Sequence, residues 1–188
     1  MRARLVLPRR ARARRLCRGE PALGRGARRG AGLSDGWRIV EDPATGPEIT
    51  ALIAYHLAQM HAQSPPENVF ALGLEALRAP GVTLWTAWEG QALLGCAALK
   101  LLGPGEGEIK SMRTAPDHLR RGVAAHLLAH LVAAAQARGL GRLYLETGSG
   151  PGFAAAHALY LRHGFAFCGP FADYAENAFS RFMARTIT

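Results

Sequence analysis

Ile109-Lys110-Ser111-Met112-Arg113-Thr114-Ala115-Pro116-Asp117-His118-Leu119-Arg120-Arg121-Gly122-Val123-Ala124-Ala125-His126-Leu127-Leu128 is the stretch that decides the fold. Its first residues alternate as a strand, Ala115-Pro116 turns the chain, and Gly122 opens a segment with apolar residues at Val123, Leu127, Leu128, Leu131, Val132 and Ala135. That spacing is one face of an amphipathic helix. The first turn of a helix carries free backbone N–H groups and the positive end of the helix dipole. Gly122, Ala124 and Ala125 are small enough to let an anion reach those amides, and Arg120 and Arg121 add charge at the rim. The pattern reads as an anion site, most naturally for a diphosphate. A loop with two solvated arginines before an ordinary helix gives the same local text, and the pattern alone leaves both readings standing.

On the N-terminal side, Trp37–Val40 reads as a short strand, and Ile49, Leu52, Ile53, Leu57 and Met60 form a helical stripe over Pro47–Gln63, broken by Ser64-Pro65-Pro66. Asn68–Arg78 reads as a second short helix. Val82–Trp88 and Gln91–Leu102 pair as a hairpin about Glu89-Gly90, and Glu108–Thr114 is a further strand. Beyond the long helix, stopped at Gly139 and Gly141, Arg142–Thr147 alternates as a strand with Leu143 and Leu145 on one face and Tyr144 and Glu146 on the other. Phe153–His163 is helical, and Phe165–Cys168 and Ser180–Ile187 are the last strands. The order is β-α-α-β-β-β-α-β-α-β-β, a mixed α/β domain.

A chain of 188 residues with 49% hydrophobic residues can bury a core of its own. No apolar run approaches the ~20 residues of a membrane helix, so no membrane role is expected. Cys17, Cys96 and Cys168 are odd in number and far apart, which gives neither a disulfide framework nor a metal-ligand spacing and points to a reduced, cytoplasmic setting. The net charge of +9 is unevenly placed: residues 1–33 hold 11 Arg and one acid, Glu20, so residues 34–188 are close to neutral. Nucleic-acid binding is therefore not expected of the folded part, which has no excess charge to release counterions from phosphates. Residues 1–33 are read as a disordered Arg-rich extension, either a solvated tail or residues translated from an early start, and residues 34–188 as the folded domain. Leu5-Val6-Leu7 is too short for a secretory core, and the segment lacks the Ser of a transit peptide.

The sequence resembles the GNAT superfamily of acyl-coenzyme A-dependent N-acyltransferases. The signature (Gln/Arg)-x-x-Gly-x-(Gly/Ala) is met at Gly122 and Ala124 and departs at Leu119. Downstream, Ala158-Leu159-Tyr160-Leu161-Arg162-His163-Gly164-Phe165 is similar to the family's Leu-Tyr-x-x-x-Gly-Phe ending, although the Asn common earlier in that helix falls at Phe153. The YsnE-like branch of small bacterial acetyltransferases fits best, through Gly107–Arg113, Leu145-Glu146-Thr147-Gly148 and Cys168-Gly169-Pro170-Phe171.

The resemblance, which covers about residues 36–187, implies a single GNAT-fold domain with a mixed, mostly antiparallel sheet flanked by helices and splayed at strands four and five. It implies acetyl-coenzyme A as co-substrate, held by the main chain of Met112, Arg113 and Thr114 at the pantetheine and by Arg120, Arg121, Gly122, Val123, Ala124 and Ala125 at the diphosphate. The acceptor is expected to be the amine of a small molecule, attacking directly in a ternary complex, in a monomer or homodimer without metal. Tyr160 is the expected hydrogen-bond donor and acid toward the leaving sulfur. An alkyl ammonium must lose a proton, and Glu108, placed by strand alternation with Lys110, Met112 and Thr114, is the first candidate base. Glu146 and a water chain are the others.

His126 and His130 are spaced as a possible metal pair without a third ligand and are read as surface residues, while Cys96 and Cys168 read as small buried hydrophobes. His56, Met60 and His61 are candidates for the acceptor pocket, as are Asp173, Tyr174 and Glu176 in the long turn before the last strand. A rival from another class is a non-catalytic acyl-coenzyme A sensor on the same fold. A role for the Arg-rich tail on RNA or a membrane surface is a third.

Overall fold

The turn expected at Glu89-Gly90 forms with Gly90 at φ +58°, joining β2 (Val82–Glu89) to β3 (Ala92–Gly103), and the hairpin is the centre of the N-terminal half of the sheet. The computed structural model describes residues 36–188; the segment 1–33 lies outside the described residues. Around the hairpin stand β1 (Trp37–Glu41), α1 (Pro47–Gln63), α2 (Leu74–Leu77), β4 (Glu106–Thr114), α3 (Val123–Ala137), β5 (Arg142–Gly148), α4 (Ala154–Arg162), β6 (Ala166–Cys168) and β7 (Ser180–Thr186). The sheet order is β1-β2-β3-β4-β5-β7-β6, antiparallel throughout except for β4 beside β5.

Helices cover both faces. Pro47, with its preset φ, starts α1, Glu48 complements the dipole of the first turn, and the helix lays Ile49, Leu52 and Ile53 against Leu84, Cys96 and Ala98. On the opposite face α3 buries Leu127, Leu128 and Leu131 completely, each contributing about 1.5–3 kcal/mol of apolar burial, over Trp85, Ala97, Leu99 and Ile109. Leu159 and Tyr160 of α4 extend this core under β5.

One expected helix is mostly absent. Of Asn68–Arg78 only Leu74–Leu77 is α-helical, preceded by a single 3-10 turn at Pro66–Asn68. Residues between them run extended because they are drawn onto the sheet: Leu72 N–H donates to Ser111 Oγ at 3.3 Å, and Phe70 packs edge-on against Tyr174 with ring centroids 5.0 Å apart.

The middle of β4 is irregular. Cys96 lies opposite Arg113 and Ala98 opposite Lys110, so two residues of β4, Ser111 and Met112, face Ala97 alone. This is a β-bulge, with Ser111 at φ +48°. A bulge reverses which face later residues take. Glu108 and Lys110 point to the side of α1, Met112 packs with Ile109 in the core under α3, and Arg113 turns back to the α1 side against His56. The expectation that Glu108, Lys110, Met112 and Thr114 share a face is thereby corrected. Past the bulge β4 and β5 separate; they pair only over 106–109 with 142–145. The expected splay is present.

Gly95 makes the bulge possible. A Cβ there would lie 2.6 Å from the carbonyl oxygen of Arg113 and 3.1 Å from Val123 Cγ1, and the first of these is backbone that cannot swing aside. Gly95→Ala should destabilise the fold by about 1–3 kcal/mol through overpacking, seen in thermal denaturation as a drop of about 2–4 °C per kcal/mol. An unchanged Tm would mean that the β3–β4 contact relaxes freely.

Candidate functional site

The loop from β4 to α3 ends with Arg120 at φ +61° and Gly122 at φ +89°. Gly122 is the N-cap of α3; no side chain caps the helix and no acidic residue stands in its first turn. The amides of Val123, Ala124 and Ala125 are therefore free of side-chain competition, and the left-handed residues upstream curl the main chain toward them. These residues fit the diphosphate role that the resemblance implies. Leu119, where the signature has Gln or Arg, is exposed and offers no polar contact.

The two arginines differ. Arg120 is exposed, whereas Arg121 is anchored to the β2–β3 hairpin: Nη2 reaches both carboxylate oxygens of Glu89 at 2.9 Å, Nη1 lies 2.9 Å from His118 Nδ1, and the guanidinium stands 5.5 Å from the Trp37 ring centre. Arg121 thus places its main chain beside the start of α3 while its side chain braces the loop.

Where β4 and β5 part, a cavity of about 180 Å³ opens. The gap admits side chains from both faces of the sheet. Tyr160 enters from α4; His56 and Met60 enter from α1; Lys110, Met112 and Arg113 border it on β4, and Glu146 on β5. Main chain of β4 beyond Ile109 lacks a β5 partner, which fits a pantetheine arm adding as a pseudo-strand. Phe153, in the place of the family's Asn, is buried and packs its ring over Gly148, where a Cβ would lie 2.5 Å from it, and edge-on to Phe179. It closes one end of the cavity with carbon.

Tyr160 is buried, and its phenol is pushed well above the ordinary value, first by desolvation and then by the charge of Glu146. It holds its proton at neutral pH and can act as a donor. Glu146 is half-buried at the cavity, its carboxyl raised above the usual carboxylate range chiefly by burial. Glu108 is 2% exposed and does not line the cavity. Its Oε1 pairs with Lys110 Nζ at 3.2 Å and accepts the Tyr174 hydroxyl at 2.6 Å, while Lys110 Nζ donates to Tyr174 at 2.8 Å. This closed triangle occupies the carboxylate that strand alternation singles out as first candidate base. Of the long turn's candidates, Tyr174 reaches the site's edge through this triangle.

A pairing that sequence spacing gave no sign of joins α1 to the bulge. Arg113 Nε–H donates to His56 Nδ1 at 3.2 Å, and the guanidinium lies 5.3 Å from the Tyr55 ring centre. Burial, with help from the Arg113 charge, lowers His56 to about 4, so the ring is neutral with its proton on Nε2. Of the three first-helix candidates, His56 and Met60 line the cavity.

The remaining sequence candidates are structural. His126 and His130 sit edge-on to Trp37 and Trp85, at 5.2 and 5.4 Å between ring centroids, and neither is a bare surface residue. Among the described residues no cluster of His, Cys, Asp or Glu could hold a metal, and no helix is long and apolar enough to cross a membrane. Cys96 is fully buried and burial pushes its thiol up to about 12, which makes it the inert hydrophobe expected; Cys168 is half-buried.

Comparison with known proteins places this geometry. The acetyltransferase (GNAT) family model matches residues 49–165. The chain is 54% identical over 149 residues to the uncharacterized N-acetyltransferase YedL of Escherichia coli (strain K12), covering 79% of this chain and 94% of that one. It is 51% identical over 146 residues to the uncharacterized N-acetyltransferase YsnE of Bacillus subtilis (strain 168), covering 78% and 97%. A crystal structure from Klebsiella pneumoniae, whose name assigns it as an acyl-CoA N-acyltransferase, superimposes with a TM-score of 0.66 at 30% identity over 81% of this chain and 98% of that one.

The neutral, buried His56 has a consequence for stability. Its pKa is 6.5 in the unfolded chain and about 4 in the fold, so the unfolded state binds more protons between those values. Stability is then full above pH 6.5 and is lost as pH falls toward 4, by on the order of 3 kcal/mol from this residue. Urea denaturation at stepped pH should show a steeper acid decline in the native protein than in His56→Gln. Equal slopes would mean His56 charges without resistance.

Proposed function

The chain belongs to the acetyltransferase (GNAT) family, and from that premise we propose that it moves an acetyl group from acetyl-coenzyme A to the primary amine of a small molecule by direct attack. The observation that carries this reading is the uncapped start of α3 behind Gly122, found together with the unpaired main chain of β4 and the cavity at the splay. Acetyl-coenzyme A supplies an acyl group already activated as a thioester. The amides of Arg120 to Ala125 hold its diphosphate, with Arg120 adding charge. Main-chain groups of Met112, Arg113 and Thr114 hold the pantetheine as an added strand.

Each remaining task falls to a side chain at the cavity. Glu146 takes the proton that the acceptor's ammonium must lose. Its raised pKa brings it nearer to neutrality, where a base is most effective. Glu108, held by Lys110 and Tyr174, sets the charge balance behind it. Tyr160 donates a hydrogen bond to the departing sulfur. A thiol has a pKa of about 8.5, below that of this phenol, so the proton stays on the tyrosine oxygen while the bond stabilises the thiolate. The thiolate then takes the second proton that the attacking nitrogen sheds as the amide forms and the carbon–sulfur bond breaks. Phe153 and Met60 keep water from the thioester.

Calorimetry with coenzyme A tests the binding half. Ala124→Asp places a carboxylate in the first turn of α3, where it favours the helix dipole by about 0.3–1 kcal/mol but repels a diphosphate. Ala124 packs partly against the core, so a modest fall in Tm is compatible with this reading; at least a ten-fold loss of coenzyme A affinity in the folded variant is expected. Equal affinity in both proteins would remove the diphosphate from that helix start.

Kinetics test the chemistry. Tyr160→Phe should lower kcat at least ten-fold with little change in coenzyme A affinity. In the native enzyme kcat/KM should fall as pH drops through the raised Glu146 pKa, above the ordinary glutamate value of about 4.3, and Glu146→Gln should flatten that limb at a low level. Coenzyme A binding without turnover of any amine would leave the non-catalytic sensor as the better reading.

A further inference from the structure

The cavity is bordered by a charge with no counter-ion among the described residues. Arg113 carries a permanent positive charge, yet it enters no ion pair among the described residues, and its Nη2 is buried without a hydrogen bond. Its recorded partners are a neutral imidazole and the face of Tyr55. Arg113 as a whole is half-buried, but a guanidinium nitrogen shut away without a hydrogen bond or a counter-ion is costly. Lys110, the other cation at the cavity, is already neutralised by Glu108 at 3.2 Å. Among the described residues, Arg113 is the cavity cation left without a counter-ion.

Its neighbour is built to help it. His56 accepts from Arg113 at Nδ1, which fixes the tautomer with the proton on Nε2, and a neutral ring can donate that proton to an anion. On β5, across the splay, Glu146 lines the same cavity and is in no ion pair among the described residues. One wall therefore offers a cation in no ion pair beside a neutral donor, the other a carboxylate that is in no ion pair, although it feels the charge of Lys110. The cavity, about 180 Å³, is small beside the roughly 300–1,000 Å³ of drug-sized sites.

Resting on the transferase reading above, we propose that the acceptor is an amine that also carries a carboxylate, an amino acid or a close chemical relative, its carboxylate held by Arg113 and His56 and its amine facing Glu146. The guest would cancel both unpaired charges at once. A plain amine would satisfy Glu146 and leave Arg113 as it is, and an amine bearing a second positive charge would meet Arg113 as repulsion.

The test compares free amino acids with their carboxamides, each pair sharing amine and side chain, by thiol release from acetyl-coenzyme A with rates expressed per concentration of unprotonated amine. At least one amino acid should exceed its amide in kcat/KM by ten-fold or more. In Arg113→Gln that ratio should collapse toward one, and Arg113→Lys should restore part of it. Calorimetry supplies a second readout that needs no turnover: the preferred amino acid should bind the native protein saturated with coenzyme A, and its amide should not. Amides or plain alkylamines turned over as well as the amino acids would overturn the inference and leave the transferase reading intact. So would coenzyme A binding with no amino acid bound or acetylated. Failure to bind coenzyme A at all would sink the transferase reading itself.

Discussion

Two neighbouring strands that stop pairing are the constraint on which the rest of this structure depends. A parallel ladder in a buried sheet satisfies its N–H and C=O groups continuously, yet β4 and β5 abandon theirs after Ile109 and Leu145. The bulge at Ser111 drives β4 away, and Gly95 on β3 permits it by letting the Arg113 carbonyl approach closer than any Cβ would allow. The cost is local: backbone groups left unpaired, and a serine in left-handed conformation. The return is an opening through the middle of a sheet whose two faces are otherwise sealed by α1 and α3. Tyr160 from one side and His56 from the other meet nowhere else.

The same bulge decides which charges share a space. Without it, Arg113 would point to the α3 side, into a core of Leu127, Leu128 and Ile109 that has no polar group to receive it. With it, Arg113 stands beside His56, on the face that already holds Glu108 and Lys110. Glu108 and Lys110 close on each other and on Tyr174, which keeps a buried pair tolerable because its remaining atoms are hydrogen-bonded. That closure sorts four charged groups at the splay into a mutually neutralised pair, of which Lys110 borders the cavity and Glu108 lies behind it, and two groups in no ion pair among the described residues, Arg113 and Glu146, at its walls.

Much of the frame was legible in the residues. Pro47 and Ser64-Pro65-Pro66 bracket α1, the Val123–Ala135 stripe marks α3, and Glu89-Gly90 turns the hairpin, because each rests on local chemistry: a fixed φ, a helical period, a glycine in left-handed conformation. Asn68–Arg78 misled for the same reason. Its apolar spacing is helical, but contacts with Ser111 and Tyr174, distant in sequence, pull it straight. The bulge was invisible because a serine at φ +48° leaves no compositional trace, as a glycine would. Glu108 drew attention as a base through an alternation that the bulge ends two residues after Lys110. The Arg113–His56 pair, 57 positions apart, had no local sign except that His56 was noticed on the first helix.

This unevenness follows the two halves of the site. The half proposed for the diphosphate is made from main-chain amides, and what the sequence must supply for that is smallness: Gly122, Ala124 and Ala125 about the helix start, which a reader can see. The acceptor half is made from side chains gathered by the fold from α1, β4, β5 and α4, so its character lies in which charges find partners and which do not. Glu108 and Arg113 look equally available on paper. Packing gives one of them a lysine at 3.2 Å and leaves the other with a neutral histidine. An electrostatic vacancy of that kind is decided by three-dimensional packing, and the order of residues along the chain does not display it.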